Sequence, residues 1–370
     1  MKKILIAMSG GVDSSVAAFL LKKSGYRCSG AIMKLHNEYN ESVENKRIGC
    51  YKKSNFHSLC KTCCSESDAS DARSVAFRIN IPFFVFDFVE KFKELVIDNF
   101  VKSYQEGITP NPCIECNKFI KFVYFLNKAL QLESDYIATG HYARIEYDFA
   151  SKRYLLKKSL DQKKDQSYVL YCMTQEQLKH TIFPLGDLFK TKVREIAETQ
   201  GFLNSNKRDS QDICFVPNGN HVSFINKHTG KIPKKGKFIN SEGKVFGEHN
   251  GIINYTVGQR RKIGISWKCP LYVCSLNAEK NVITLGSEKE LYTSEAILKD
   301  INLISIESLN SDIKIKAKIR YRHEEQSAKI CQIDDEKIHI EFNEPQRAIT
   351  KGQSMVFYVD EYVIGGGVVC

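Results

Sequence analysis

Residues 2–15, KKILIAMSGGVDSS, constrain the fold of this chain more than any other stretch. Lys2 to Met8 is a short apolar run rich in aliphatic and β-branched residues, and it reads as a buried strand. Ser9-Gly10-Gly11-Val12-Asp13-Ser14-Ser15 follows at once, and apolar residues then recur at Val12, Val16, Phe19 and Leu20, the spacing of one helical face. The unit is strand, glycine-rich turn, helix. Adjacent glycines let the backbone approach a ligand closely and adopt φ angles that other residues avoid, while N–H groups at a helix start attract an anion. Phosphate is the expected ligand. Asp13 alone would repel it, so the expectation is a Mg²⁺ shared between the Asp13 carboxylate and the phosphates. The loop lacks the lysine of a Walker turn and the three glycines of a dinucleotide fingerprint. A plain structural turn, with Ser9 or Ser14 capping the helix, is the competing reading.

The pattern SGGVDSS resembles the pyrophosphatase loop of the ATP-pyrophosphatase superfamily. That resemblance implies cleavage of ATP between its α- and β-phosphates and adenylation of a carbonyl oxygen. Downstream, Lys22, Lys23 and Gly25 close the first helix, and Arg27 to Leu35 forms a second strand that completes a βαβ unit. Met33, near the end of that strand, lies at the sheet edge where such folds bind ligands, or packs in the core. Residues 36–65 are polar, lack an apolar period, and carry His57, Cys60, Cys63 and Cys64. The CxxC spacing there suits zinc, but the usual second pair is missing.

A helix is expected from Ser67, as N-cap, to Asn80, then a strand from Pro82 to Phe88. Phe92, Leu95, Val96 and Phe100 mark the face of a further helix that stops near Gly107. Thr109-Pro110-Asn111-Pro112 then precedes Cys113-Ile114-Glu115-Cys116, and a helix carrying Phe119, Val123, Leu126 and Leu130 is expected just after the CxxC. That puts Cys116 beside a helix N-terminus, where the macrodipole favours thiolate. Tyr136 to Thr139 is another strand, ending in Gly140-His141-Tyr142-Ala143-Arg144, followed by a hairpin-like pair and a helix at 191–200.

This alternation predicts an α/β fold with a doubly wound parallel-sheet nucleotide-binding domain over residues 1–205. A small, mostly β central domain is expected over 206–268. From 269 to 370, short runs at 271–275, 282–285, 313–321, 337–342 and 354–359 predict a C-terminal β-barrel. Lys314, Lys316, Lys318, Arg320 and Arg322 are spaced by two, so one strand is expected to present all five charges on one side, as suits phosphate contact.

No apolar stretch is long enough to span a bilayer, and the N-terminus reads as a core strand rather than a signal peptide, so a cytoplasmic protein with no membrane partner is expected. Lys and Arg number 54 against 43 Asp and Glu, a formal charge of +11 that favours a polyanionic partner. With no export signal, the 13 cysteines point to thiol chemistry or metal binding rather than to a disulfide framework.

SGGVDS, NPxxxCNKxIKF (Asn111 to Phe122), GHYAR (140–144), KDQSY (164–168), RDSQDICF (208–215) and GQRRKIGI (258–265) occur together in this chain. In this combination, from residue 4 to Gly365-Gly366-Gly367, the chain resembles the tRNA-specific 2-thiouridylase family. The resemblance implies ATP-dependent replacement of the C2 oxygen of a wobble uridine by sulfur. A uracil carbonyl is a poor electrophile, and adenylation turns its oxygen into a leaving group that a sulfur nucleophile displaces.

By motif, the resemblance assigns ATP to Ala7, Met8, Ser9, Gly10, Gly11, Val12, Asp13, Ser14, Met33 and Gly140. Cys116 takes the part of the nucleophile, and Cys214 carries the incoming persulfide. Asn111, Pro112 and Cys113 border the flipped-out base. His141, Lys164, Asp165, Gln166, Arg320, Tyr321 and Gln353 are the implied tRNA contacts. The partners implied are a tRNA anticodon loop and a persulfide donor, such as a cysteine desulfurase or a sulfur-relay protein. Many members place an acidic residue at the position of Cys113, so the second cysteine is a departure. It raises the alternative of an iron–sulfur cluster held by Cys113, Cys116 and Cys214 with one iron site open. The resemblance favours the persulfide route. An arginine- or guanosine-forming synthetase would share only the first loop, and a non-enzymatic RNA-binding protein would need no such loop.

Overall fold

The structure is a computed structural model that describes residues 1–36, 66–209, 212–216 and 219–370. The expectations for His57, Cys60, Cys63 and Cys64 lie outside these residues. β1 (Lys3–Ala7) leads through α1 (Val12–Lys23) to β2 (Arg27–Lys34), and α2 (Glu66–Arg78) leads to β3 (Phe83–Asp87). Ser67 lies inside α2 rather than capping it. β4 (Tyr136–Ala138), the hairpin of β5 (Ala143–Asp148) and β6 (Arg153–Lys158), and β7 (Thr181–Ile182) follow.

Five of these strands form one parallel sheet in the order β3-β2-β1-β4-β7. Alternate residues of β1 enter different cores: Ile4, Ile6 and Met8 pack with α1 and α2, while Leu5 and Ala7 face the cluster that holds Met33 and Phe125. Burial on both faces explains the unbroken apolar run. Strand order reverses between β1 and β4, so the crevice beyond their C-terminal ends is the natural ligand site of the sheet.

β8 (Gly236–Ile239), β9 (Val245–His249), β10 (Tyr272–Asn277) and β11 (Val282–Gly286) form a second sheet, ordered β10-β11-β8-β9. The runs at 271–275 and 282–285, expected in the C-terminal barrel, therefore belong with the central strands. Their partner settles it: β11 runs parallel to β8, pairing Ile283 with Phe238.

The barrel consists of β12 (Tyr292–Leu303), β13 (Ile313–Lys318), β14 (Gln326–Gln332), β15 (Ile338–Arg347), β16 (Ser354–Val359) and β17 (Tyr362–Val369), and the β12–β17 pairing closes it. Lys314 and Lys316 point outward and Ile315 and Ala317 inward, but β13 ends at Lys318, so Arg320 and Arg322 are not on the strand. The hairpin β5–β6 of the first domain joins the barrel through Tyr362 of β17 and Lys157 of β6. Lys157 pairs with Glu361 at 2.9 Å and Lys158 with Glu325 at 2.6 Å across that seam.

No helix of the described residues is long and apolar enough to cross a membrane.

Candidate active site

Gly10 follows β1 with φ +72°, and a Cβ there would lie 2.3 Å from the Asp68 carbonyl oxygen. Gly11 sits at the start of α1 in an extended conformation, and no side chain caps the helix. Ser14 and Ser15 instead donate to the Gly11 carbonyl, at 3.1 and 2.9 Å, and the Ser14 hydroxyl accepts from the Ser9 amide at 3.1 Å. The serines shape the turn and leave the first N–H groups of α1 uncapped by side chains, which suits an anion. Asn204 and Lys207 hold the turn from outside by donating to the Gly10 carbonyl at 3.0 and 3.2 Å.

From the other side of the crevice, Gly140 follows β4. A Cβ at Gly140 would stand 2.7 Å from the Ser14 amide nitrogen and 2.9 Å from the Asp13 carbonyl carbon. Gly140→Ala is expected to cost about 1–3 kcal/mol by overpacking. It should lower the melting temperature and weaken the response to ATP, and a variant unchanged in both would contradict this contact.

Asp13 is held by two groups that local sequence does not announce. Lys190 Nζ lies 2.7 and 2.8 Å from its two carboxylate oxygens, and the Tyr142 hydroxyl donates to it at 2.7 Å. Burial, then the Asp13 charge, push the Tyr142 phenol far above its ordinary range, so it stays a proton donor. A Mg²⁺ shared with the phosphates of a nucleotide would need only the Asp13 carboxylate from this part of the chain. That carboxylate is engaged here by an ammonium, and among the described residues no group of three His, Cys, Asp or Glu side chains is gathered for a metal. Lys190 supplies the positive charge at this point.

Lys190 also reaches Asp209 at 2.9 Å, and Lys164 and Arg194 meet the same carboxylate at 2.8 and 2.9 Å. Burial opposes ionisation of Asp209, but Lys164 and Lys190 prevail and hold it down to about 2. Its folded value is below the ordinary carboxylate value of about 3.9, so the pairing stabilises the fold above that pH and the contribution is lost as pH falls through about 2. Asp209→Asn should therefore be less stable than the parent at neutral pH, with the deficit fading towards pH 2 in denaturant titrations. A deficit independent of pH would assign the effect to packing.

The cysteine end of the site begins at the loop 109–111. Asn111 accepts the Cys113 amide at 3.2 Å, and Pro112 occupies the first helical position. The helix therefore starts before the CxxC rather than after it, because asparagine caps and a first-turn proline are the preferred way to begin one. Cys113 is in the first turn and exposed. Cys116 is a turn further in, 9% exposed, and opens a stretch of wider π-helical turns, Cys116–Phe125. Those turns rotate the buried face to Ile120, Phe122 and Phe125, leaving Leu130 exposed.

Cys214 is half-buried against the same apolar cluster that contains Cys116, and its neighbour Phe215 packs on Phe92 and Phe100. Among the described residues no three His, Cys, Asp or Glu side chains, Cys113, Cys116 and Cys214 included, are gathered to hold a metal ion.

Two of the implied RNA contacts reach from the barrel to the first domain. Gln353 donates to the Thr109 carbonyl at 2.9 Å, beside Asn111. The Tyr321 hydroxyl donates to the Asp165 carbonyl at 3.3 Å, and its ring lies 5.8 Å from Tyr168. Several of these side chains already have protein partners. Lys164 is paired with Asp209, Asp165 accepts from Ser159 and Ser167, Gln166 accepts the Tyr142 amide at 2.9 Å, and Arg320 donates to the Arg347 carbonyl at 2.8 Å. His141 is 8% exposed, bonded to Thr139 and near Phe122 and Phe183; burial, then the Lys121 charge, keep it neutral. Tyr321 is 40% exposed and Cys113 faces solvent.

Comparison with known proteins matches all three parts of the chain. Residues 2–218 match the family model described as a tRNA methyl transferase HUP domain, residues 222–287 the tRNA methyl transferase PRC-barrel domain, and residues 293–369 the aminomethyltransferase beta-barrel domain. Over 368 residues the chain is 48% identical to the tRNA-specific 2-thiouridylase MnmA of Clostridioides difficile (strain 630), spanning 100% of this chain and 98% of that protein. It is 47% identical over 368 residues to the protein of the same name from Acetivibrio thermocellus, spanning 100% and 99%. The chain belongs to the tRNA-specific 2-thiouridylase family.

Beside the motifs that mark the 2-thiouridylase family, the structure adds Lys190, Arg194, Asn204 and Lys207 to the surroundings of the loop, and from within those motifs it brings Tyr142 and Asp209 to the same place. One signal for Lys190 was available. It is the first residue of the helix Lys190–Thr199, where a positive charge opposes the macrodipole and calls for an anion nearby.

Proposed function

We propose that this chain is an ATP-dependent tRNA sulfurtransferase that forms 2-thiouridine at the wobble position. ATP lies in the crevice between β1 and β4, with its phosphates on the N–H groups of the Gly10–Ser14 turn and near Lys190. The uridine C2 oxygen attacks the α-phosphorus, pyrophosphate leaves, and the base becomes an O-adenylated electrophile. Asn111, Pro112 and Cys113 line the position of the flipped base, with Tyr321 and Gln353 at the rim.

Sulfur arrives on Cys214 as a persulfide made by a separate persulfide donor. Its terminal sulfur attacks C2, the C–O bond breaks, and AMP leaves. The Cys116 thiolate then attacks the Cys214 sulfur, forming a Cys116–Cys214 disulfide and releasing the 2-thiocarbonyl. Both electrons of the S–S bond that breaks remain on the thiouridine sulfur, and an external dithiol reductant returns the two cysteines to thiols.

The observation that carries this reading is the packing of Cys116 and Cys214, from widely separated segments, against one apolar cluster in a chain related over its whole length to named 2-thiouridylases. The test is incubation with ATP and unmodified tRNA. Pyrophosphate release that requires tRNA supports the reading, whereas phosphate release, or pyrophosphate release without tRNA, opposes it.

A further inference from the structure

The central domain carries a charged surface that the proposed reaction does not use. Residues 249–278 contain no Asp or Glu, yet include Arg260, Arg261, Lys262 and Lys268. All four are exposed, and among the described residues none has a carboxylate partner. The cations around the active site differ: Lys157, Lys164 and Lys190 each have a carboxylate within 2.9 Å. Arg260, Lys262, Trp267 and Lys268 line a concavity of about 520 Å³.

The loop that presents them is braced from within. Ile263 is buried, Gln259 donates to the Arg261 carbonyl at 2.9 Å, and the Gly258 amide and Gln259 carbonyl both bond to Val273 of β10, at 2.8 and 2.9 Å. Lys262 takes the left-handed conformation, with φ +64°. Trp267, the sole tryptophan of the chain, is 51% exposed and stands edge-on against Phe246 at 4.7 Å. The loop also continues from the rim of the active site, because Arg347 donates to the Gly258 carbonyl at 3.4 Å while its own carbonyl accepts from Arg320.

We infer that residues 258–269 form a second RNA-binding surface, which takes the sugar–phosphate backbone of the tRNA beyond the anticodon loop. Four unpaired cations on a braced loop are matched to evenly spaced phosphates, and an exposed indole beside them offers a face for a base or ribose. Arg347 links this loop to Arg320, next to Tyr321 at the rim, so the surface borders the proposed base site and is open to RNA that continues beyond the anticodon loop. This inference rests on the tRNA reading above.

Trp267 provides the probe. Full-length unmodified tRNA and an oligonucleotide holding only its anticodon loop on a short stem are titrated against the whole protein while tryptophan emission and affinity are followed. The expected result is that both RNAs bind and only the full-length tRNA alters the emission. The triple variant R260A/R261A/K262A should bind full-length tRNA roughly 10–100-fold more weakly at about 0.1 M salt, with a salt slope flatter by about 2–3, and bind the fragment as the parent does. Full-length tRNA that leaves the emission unchanged, or a triple variant that loses both RNAs equally or neither, would overturn the second surface. Failure of the parent protein to bind either RNA would instead overturn the tRNA reading itself.

Discussion

Cys116→Ser and Cys214→Ser each abolish thiolation of tRNA, by roughly three orders of magnitude or more, while a first round of tRNA-dependent pyrophosphate release survives. The two thiols act after adenylation, so removing either one leaves the electrophile intact and denies it sulfur or its release. Both cysteines are needed because one carries the sulfur and the other must attack it, which requires approach to bonding distance. Cys113→Ser separates this route from a cluster-based one. Cys113 is exposed in the first turn of its helix, and no metal seat is assembled around the three cysteines among the described residues. That variant should retain most activity. Loss of activity on Cys113→Ser to the level of the other two, together with loss of bound iron from anaerobically purified protein, would overturn the persulfide route.

Asp13→Ala is expected to reduce pyrophosphate release at least about a hundredfold and to leave tRNA affinity nearly unchanged. Its carboxylate holds Lys190 on one side and the Tyr142 hydroxyl on the other, so truncation releases the ammonium aimed at the turn and leaves a buried phenol without its acceptor. Both losses fall on the nucleotide. The residues proposed to meet the base come from the loop 109–113 and from the barrel, which Asp13 does not touch. Pyrophosphate release measured beside a gel shift at fixed salt checks the division. A tRNA affinity that falls as steeply as turnover would mean that the two halves of the site are not separate.

The strand, turn and helix at the N-terminus were legible because burial on both faces of β1 leaves an unmistakable apolar run and because the turn after it needs glycine at Gly10. The helix over Pro112–Glu115 starts earlier than expected, although its signals are present in the sequence. Asn111 and Pro112 are a capping residue and a first-turn proline, but the apolar period by which a helix is recognised becomes regular only beyond Cys116. The domain assignment of β10 and β11 was not legible in principle. Short alternating strands look alike, and only the hydrogen-bond partner says to which sheet a strand belongs.

The barrel strand β17 was hidden for another reason. A Cβ at Gly365 or Gly366 would come within 2.3 Å of the Asn302 carbonyl oxygen or 2.6 Å of that of Met355, so close packing at the barrel seam requires glycine where β propensity would ask for branched residues. The five-charge strand failed because alternation of basic residues continues in sequence past Lys318, where the chain turns and Arg320 folds back onto Arg347. Lys190 and Asp209 meet near Asp13 only through the tertiary fold, and no local pattern joins residues so far apart.

A chain that adenylates a tRNA base at the β1–β4 crevice and then sulfurates it with two cysteines must couple AMP, pyrophosphate and 2-thiouridine one to one. The three products are counted in a single reaction that contains ATP, unmodified tRNA, a persulfide donor and a dithiol reductant. Equal amounts of all three are expected, with 2-thiouridine at the wobble position by mass spectrometry and none of it in reactions of Cys214→Ser. ADP and phosphate in place of AMP and pyrophosphate, or 2-thiouridine formed without AMP, would contradict that coupling.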